Sequence, residues 1–84
     1  MGITMTYVYI LRSVGVPNEW YTGHTNDLRG RLGDHNAGRS VHTARAKPWK
    51  LVTYLAFSDE KRAVQFEKYL KSGSGRAFAS KHLR

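Results

Sequence analysis

Side chains that can transfer protons and bind anions cluster in the first half of the chain. Tyr9 and Tyr21 lie in two aromatic segments, and Arg31 and His35 follow at a spacing of four residues. On a helix that spacing puts the arginine and the histidine on one face. An arginine at the border of a core is partly desolvated and can hold a phosphate with its planar donor fork. A tyrosine serves as a base only where nearby cations stabilise its phenolate.

The same residues also have ordinary structural uses. Tyrosines that face each other across a hairpin often pack against one another, and Tyr7, which shares a strand face with Tyr9, can have the same packing role. Arg31 can pair with Asp27, four residues earlier. His35 can stabilise the end of a helix, where positive charge is favoured. Residue types and spacing alone leave both interpretations open.

One acidic residue stands apart from the rest. Glu67 is the only carboxylate after residue 60, in a strongly basic part of the chain. A single carboxylate suits a Mg²⁺ ion whose other ligands are waters and phosphate oxygens. The alternative is an ion pair with Lys71, four residues later. The other acidic residues form no evident cluster, which disfavours a two-metal site, and the four histidines lack the spacing of zinc ligands.

The first half of the chain predicts a hairpin followed by a helix. Tyr7–Leu11 and Trp20–His24 are rich in aromatic and β-branched residues, and a loop with Gly, Pro and Asn separates them. They are expected to pair as antiparallel strands. A helix is predicted over Asp27–Ala37, capped by Thr25 or Asn26.

The second half predicts a linker, a strand and a helix. Arg39–Lys47 is basic and without periodicity, and Trp49–Phe57 is the third strand. A second helix begins with Ser58 as its cap and ends at Gly73, with a short third helix expected over Ala77–His82. The order β-β-α-β-α predicts an α+β fold, with helices packed on a small three-stranded sheet, in a single domain over residues 1–84.

Charge and composition indicate the class of partner. Fourteen Lys and Arg against six Asp and Glu give a net charge of +8, which attracts polyanions and favours a nucleic-acid partner. There is no cysteine, no apolar run long enough to cross a membrane and no signal-like N-terminus, so a cytoplasmic protein is expected. The basic residues expected to contact backbone phosphates are Arg39, Arg45, Lys47, Lys71 and Arg76.

An ordered series of motifs resembles the GIY-YIG nuclease domain. The motifs are Tyr7-Val8-Tyr9, Tyr21-Thr22-Gly23 and Asp27-Leu28-x-x-Arg31-Leu32-x-x-His35-Asn36-x-Gly38. The later segments look like the small stand-alone bacterial subfamily of that domain: Lys47-Pro48-Trp49-x-Leu51-Val52, the helix of Glu67, and Lys71-Ser72-Gly73-x-Gly75-Arg76. The chain departs from the motif names at Tyr7, where glycine is usual, and at Thr22, where isoleucine is usual. It has no clear equivalent of a late asparagine found in larger members.

The resemblance implies a three-stranded antiparallel sheet flanked by helices and an endonuclease that cuts phosphodiester bonds with one Mg²⁺ or Mn²⁺. DNA is the expected substrate more than RNA, in repair or recombination, with specificity from this domain or a protein partner. The site residues that the motif positions imply are Tyr9, Tyr21, Arg31, His35 and Glu67, of which Glu67 binds the metal. Either tyrosine, assisted by His35 or a water, is expected to deprotonate the attacking water. The alternative is a basic nucleic-acid-binding module of the same fold with little or no catalysis.

Overall fold

In the computed structural model, which describes residues 4–84, an antiparallel sheet lies between one helix on one face and two helices on the other. The strands are β1 (Thr6–Ser13), β2 (Trp20–Thr25) and β3 (Trp49–Phe57), in the order β2-β1-β3. The helices are α1 (Leu28–Asn36), α2 (Glu60–Leu70) and α3 (Gly73–His82), with a 3-10 turn at Ala44–Ala46. The predicted α+β fold and antiparallel sheet are confirmed. The first three residues of the predicted domain lie outside the described part.

The alternation of side chains along β1 divides the core into two halves. Val8 and Ile10 point to one face of the sheet, where they pack with residues of α2 and α3. Tyr9 and Leu11 point to the other face, which is covered by α1 and the segment before β3. The division arises because successive residues of a strand point to opposite faces of the sheet. The central strand therefore carries Tyr9 into the layer beneath α1.

The cap of α1 differs from the prediction. Asp27, and not Thr25 or Asn26, is the N-cap, and its carboxylate accepts a hydrogen bond from the Gly30 backbone N–H at 3.0 Å. The Thr25 hydroxyl instead accepts a hydrogen bond from the Asp27 N–H. An N-cap side chain must reach the N–H groups two or three residues ahead, and the aspartate stands one residue closer to them. Its carboxylate is therefore engaged within the helix start.

The cap of α2 and the extent of α3 also correct the prediction. Asp59 rather than Ser58 caps α2. The glycine-rich run does not simply end that helix, because Gly73 begins α3, four residues before the predicted start at Ala77. A side chain on Gly75 would overlap the carbonyl group of Tyr69, so a glycine there lets α3 begin directly against the end of α2. Within residues 4–84, no helix is both long and apolar enough to cross a bilayer.

Candidate active site

A hydrogen-bonded chain of buried side chains connects β1, α1 and the segment between α1 and β3. The Tyr9 hydroxyl oxygen lies 2.9 Å from His35 Nε2, and His35 Nδ1 lies 2.6 Å from the Thr43 hydroxyl oxygen. Each of the three residues is only 1% exposed. Sequence reasoning singled out Tyr9 and His35 and missed Thr43. No local pattern marks that residue, because it lies in a polar stretch without periodicity.

Tyr21 and Gly23 on β2 complete the surroundings of the Tyr9 hydroxyl. The Tyr21 ring lies 6.2 Å from the Tyr9 ring and 4.9 Å from the His35 ring, centroid to centroid. Gly23 pairs directly with Tyr9, and a Cβ atom there would lie 2.7 Å from the Tyr9 hydroxyl. The missing side chain therefore provides the space in which that hydroxyl meets the imidazole. Tyr21 is half-buried and is the more accessible of the two tyrosines.

Arg31 lies on α1, and its positive charge acts on Tyr9 and His35. The residue is exposed, yet its guanidinium lowers the pKa of both Tyr9 and His35, although larger effects of burial act on each of them. The alternative partner suggested by spacing, Asp27, uses its carboxylate to cap the helix. Arg31, Asp34 and Arg39 border one small surface cleft. The arginine therefore stands between the buried hydrogen-bonded chain and solvent, where an anion can approach.

The environment keeps both partners of the central hydrogen bond uncharged at neutral pH. Burial raises the pKa of Tyr9 to about 12, with Tyr21 and Glu67 acting in the same direction and Arg31 opposing them. Burial also lowers the pKa of His35 below its usual value of 6.5, with Arg31 adding to the effect and Asp34 opposing it. A phenol and a neutral imidazole in hydrogen-bond contact suit proton relay more than direct ionisation of the phenol.

The lowered pKa of His35 predicts a pH dependence of stability. Below pH 6.5 the unfolded chain binds a proton at this histidine more readily than the folded protein does. Its contribution to the free energy of unfolding is therefore complete above about pH 6.5, and it is lost as pH falls through the folded-state pKa. We expect an NMR titration of His35 in the folded protein to give a midpoint below the usual histidine value of 6.5. A midpoint above 6.5 would contradict the burial argument.

Glu67 belongs to a second polar cluster, which forms on the opposite face of the sheet. Its carboxylate oxygens contact His24 Nδ1 on β2 and Nζ of Lys71, the C-cap residue of α2. Burial raises the pKa of Glu67, but the hydrogen bonds and charges of Lys71 and His24 outweigh burial and leave the pKa below its usual value. The ion pair with Lys71 that the spacing allowed is present. His24 was missed because the sequence showed only scattered histidines.

Glu67 can supply one carboxylate to a divalent cation, but the residues around it do not form a complete set of metal ligands. The carboxylate is ionised and its side chain is 13% exposed. Among residues 4–84 no group of three or more His, Cys, Asp or Glu is placed to enclose a metal ion. Mg²⁺ commonly binds through one or two carboxylates and keeps waters and phosphate oxygens as its other ligands. Glu67 therefore fits as a single-point ligand, provided that Lys71 or His24 releases one carboxylate oxygen.

The basic residues assigned to phosphate contacts are spread over the surface. Arg39 borders the Arg31 cleft and forms an ion pair with Asp34. Lys71 is paired to Glu67. The remaining three are exposed: Arg45, which is ion-paired with Glu19 by the β1–β2 loop, Lys47, which follows the 3-10 turn, and Arg76 on α3. Arg39 and Lys71 thus adjoin candidate site residues, and the ammonium group of Lys47 lies close to Gly38 after α1.

Substituting Gly23→Ala tests the space around the Tyr9 hydroxyl. The new Cβ would lie 2.7 Å from that hydroxyl and 3.0 Å from Tyr21 Cε2. Overpacking of a buried site typically costs about 1–3 kcal/mol, and we expect that loss in chemical denaturation. Gly33→Ala is the matched control, since a Cβ there meets open space and alanine favours a helix by roughly 1 kcal/mol. Equal stability of the two variants would show that Gly23 is not required for packing.

The residues of the candidate site lie within a segment that matches a known protein family. Residues 5–81 match the family model of the GIY-YIG catalytic domain. The chain belongs to the GIY-YIG family. Its small single-domain relatives carry the name UPF0213. The description of the matched family model is that of a catalytic domain.

The relatives cover different shares of the chain. UPF0213 protein YazA of Bacillus subtilis is 40% identical over 55 residues, which are 64% of this chain and 56% of that protein. This GIY-YIG chain thus spans little more than half of that relative. UPF0213 protein SpyM3_1077 of Streptococcus pyogenes is 35% identical over 78 residues, 92% of this chain and 83% of that one. The solution NMR structure of UPF0213 protein BH0048 from Bacillus halodurans has a TM-score of 0.56 at 30% identity, covering 92% of this chain and 83% of that one.

Proposed function

We propose that this GIY-YIG protein is a divalent-metal-dependent endonuclease that hydrolyses phosphodiester bonds of nucleic acid, DNA in preference to RNA, in repair or recombination. The observation that carries the proposal is the contact between the Tyr9 hydroxyl and His35 Nε2, with the charge of Arg31 next to it. This arrangement offers a proton acceptor and an anion-binding group within one site. The net charge of +8 supports a polyanionic substrate.

The proton step uses Tyr9 and His35 in series. Burial raises the pKa of Tyr9 to about 12, so the phenol does not ionise at neutral pH. When a water attacks the phosphorus, its proton passes to the Tyr9 oxygen while the Tyr9 proton passes to His35 Nε2. The oxygen of that water forms the new bond to phosphorus, and the bond to the leaving oxygen breaks. General base catalysis of this kind contributes about 10²–10⁴-fold.

Arg31 and Glu67 act on the charge of the phosphate. Arg31 stands exposed beside the tyrosines, where its guanidinium would neutralise negative charge that grows on the phosphoryl oxygens in the transition state. Glu67 is the side chain that would hold the divalent ion, with phosphate and water completing the ligands. Such an ion supplies Lewis-acid stabilisation of the leaving oxygen. Support for a shared site comes from β2, where Gly23 adjoins the Tyr9 hydroxyl and the next residue, His24, contacts Glu67.

Arg31→Ala tests the proposed function directly. Cleavage would be followed with Mg²⁺ and with Mn²⁺ on duplex, flap, single-stranded and RNA substrates. We expect the variant to lose about 10²–10³-fold in cleavage rate, as when one preorganised donor to the transition state is removed. Arg29→Ala is the matched control, because Arg29 is an exposed arginine of the same helix that lines a different cleft, with Tyr7 and Tyr54. Equal loss in both variants would contradict the assigned role of Arg31.

One observation favours a second candidate, a basic nucleic-acid-binding module with little catalysis. Both carboxylate oxygens of Glu67 are engaged by His24 and Lys71, so a cation would have to compete with these two partners. This alternative predicts binding without metal that weakens steeply with salt, as phosphate contacts do. It also predicts that Glu67→Gln leaves the affinity for nucleic acid unchanged and that no substrate of the panel is cut.

A further inference from the structure

Thr43 occupies a place that neither its sequence context nor the site residues named above explain. It lies in the segment between α1 and β3, just before the 3-10 turn, and is 1% exposed. Its hydroxyl oxygen lies 2.6 Å from His35 Nδ1, and its carbonyl oxygen accepts a hydrogen bond from Trp49 Nε1 at 2.9 Å. The backbone of this residue is thus held by β3 while its side chain meets the histidine.

The contact matters because the two nitrogens of a neutral imidazole have opposite roles. One nitrogen carries the proton and donates, and the other has a free electron pair and accepts. The partner of one nitrogen decides the role of the other. In His35 the second nitrogen, Nε2, faces the Tyr9 hydroxyl at 2.9 Å. Whatever fixes Nδ1 therefore decides whether His35 can take a proton from Tyr9.

The surroundings of the Thr43 hydroxyl indicate which arrangement holds. The carbonyl oxygen of Ser40 lies 3.5 Å from the hydroxyl, on the donor side, and can receive its hydrogen. The hydroxyl oxygen then accepts from Nδ1–H, and the free electron pair of Nε2 points at Tyr9. In the reverse arrangement the hydroxyl hydrogen would go to Nδ1, and the Ser40 carbonyl would keep only its hydrogen bonds from the Thr43 and Ala44 backbone N–H groups.

We propose that Thr43 is a positioning residue that holds His35 in the Nδ1–H tautomer, with Nε2 ready to accept the proton of Tyr9. The catalytic use of this tautomer rests on the proposed endonuclease function. The tautomer itself can be measured whether or not the protein cuts nucleic acid. Thr43 is 1% exposed and its hydroxyl contacts His35 and the Ser40 carbonyl, so its effect on the site acts through His35. In each turnover His35 gains the Tyr9 proton at Nε2 and must release it before the next water is activated. The Thr43 hydroxyl would then keep the remaining proton on Nδ1.

The test is a two-bond proton–nitrogen NMR spectrum of the imidazoles at neutral pH, recorded on protein free of metal and nucleic acid. We expect the Nδ1–H pattern for His35 in the wild type. In Thr43→Val, which keeps the shape and removes the hydroxyl, the pattern should change to Nε2–H, because that proton can still be donated to the Tyr9 oxygen. Thr43→Ser should restore the wild-type pattern. The Nε2–H pattern in the wild type, or one pattern in all three proteins, would overturn the proposal.

Cleavage assays separate this role from a structural one. Partners that orient a reacting group typically contribute 10–100-fold, so Thr43→Val should lose about that much activity and Thr43→Ser should regain most of it. Thr6→Val is the matched control: it removes a buried hydroxyl that accepts a hydrogen bond from Asn26, away from His35, and should leave the imidazole spectrum unchanged. Equal loss in the Thr6 and Thr43 valine variants would overturn the positioning role. Absence of cleavage in every protein would count against the endonuclease proposal, while the spectra would still decide the tautomer.

Discussion

Glu67→Gln is expected to lower metal-dependent cleavage about 10²–10³-fold while the fold is kept. The substitution preserves the size of the side chain and removes its charge, and an amide oxygen is a much poorer ligand for a hard cation than a carboxylate. Mg²⁺ or Mn²⁺ titrations should then show weaker binding in parallel with the loss of rate. The measurement pairs single-turnover cleavage with Mn²⁺ binding followed by electron paramagnetic resonance.

The control for this variant is Glu60→Gln, in the first turn of the same helix, where the carboxylate is exposed. Removal of the Glu67 charge also breaks its pairs with His24 and Lys71, so the denaturation midpoint must be measured beside the activity. Ion pairs with a solvent-exposed partner are typically worth about 1 kcal/mol or less, against the roughly 5–15 kcal/mol that stabilise a typical domain. Unchanged Mn²⁺ binding in Glu67→Gln would remove this residue from the metal site.

Tyr9→Phe is expected to lower the rate about 10²–10⁴-fold, the contribution of a general base. Phenylalanine keeps the ring that packs in the core and removes only the hydroxyl that contacts His35 Nε2. The loss should persist at every pH at which the folded protein is stable, because no other group takes over the hydroxyl's contact. A buried nitrogen left without its partner costs about 1–3 kcal/mol, so assays belong well below the unfolding temperature.

Two further tyrosine variants make the result specific. Tyr7→Phe is the matched control, since Tyr7 lies on the same strand face and its ring packs edge-on against Tyr54. Tyr21→Phe addresses the choice that the sequence left open, because Tyr21 is the more accessible tyrosine but only its ring lies against His35. A larger loss in Tyr21→Phe than in Tyr9→Phe would assign the proton transfer to Tyr21.

Local sequence patterns predicted most of the strands and helices. They failed mainly where two neighbouring polar residues could each cap the same helix. The third strand was predicted with its observed bounds, Trp49–Phe57, because aromatic and β-branched residues follow a proline there. The predicted cap of α1 was misplaced by one or two residues and that of α2 by one. In both helices an aspartate stands next to another possible cap, and propensity alone does not rank such neighbours. The start of α3 was missed because glycines read as a loop until the packing of Gly75 against Tyr69 is known.

The sequence by itself determined the family, the fold class and the side chains available for chemistry. Motif order and spacing are properties of the sequence alone and do not depend on the fold. They are therefore enough to single out Tyr9, Tyr21, Arg31 and His35 as candidates. Their approach to one another also follows from the sequence in part, because strand alternation and the helix period place them on the layer shared by β1, β2 and α1.

Only the tertiary structure decided the partners of those side chains. Thr43 reaches His35, and His24 reaches Glu67, across 8 and 43 residues of chain. Hydrogen bonds between distant segments depend on how helices dock on the sheet, and no local periodicity records that docking. The protonation of the site is decided at the same level, since burial and neighbouring charges set the pKa values of Tyr9 and His35. The sequence supplies the tyrosine and the histidine, but the fold sets the hydrogen bond between them and the pKa values on which proton transfer depends.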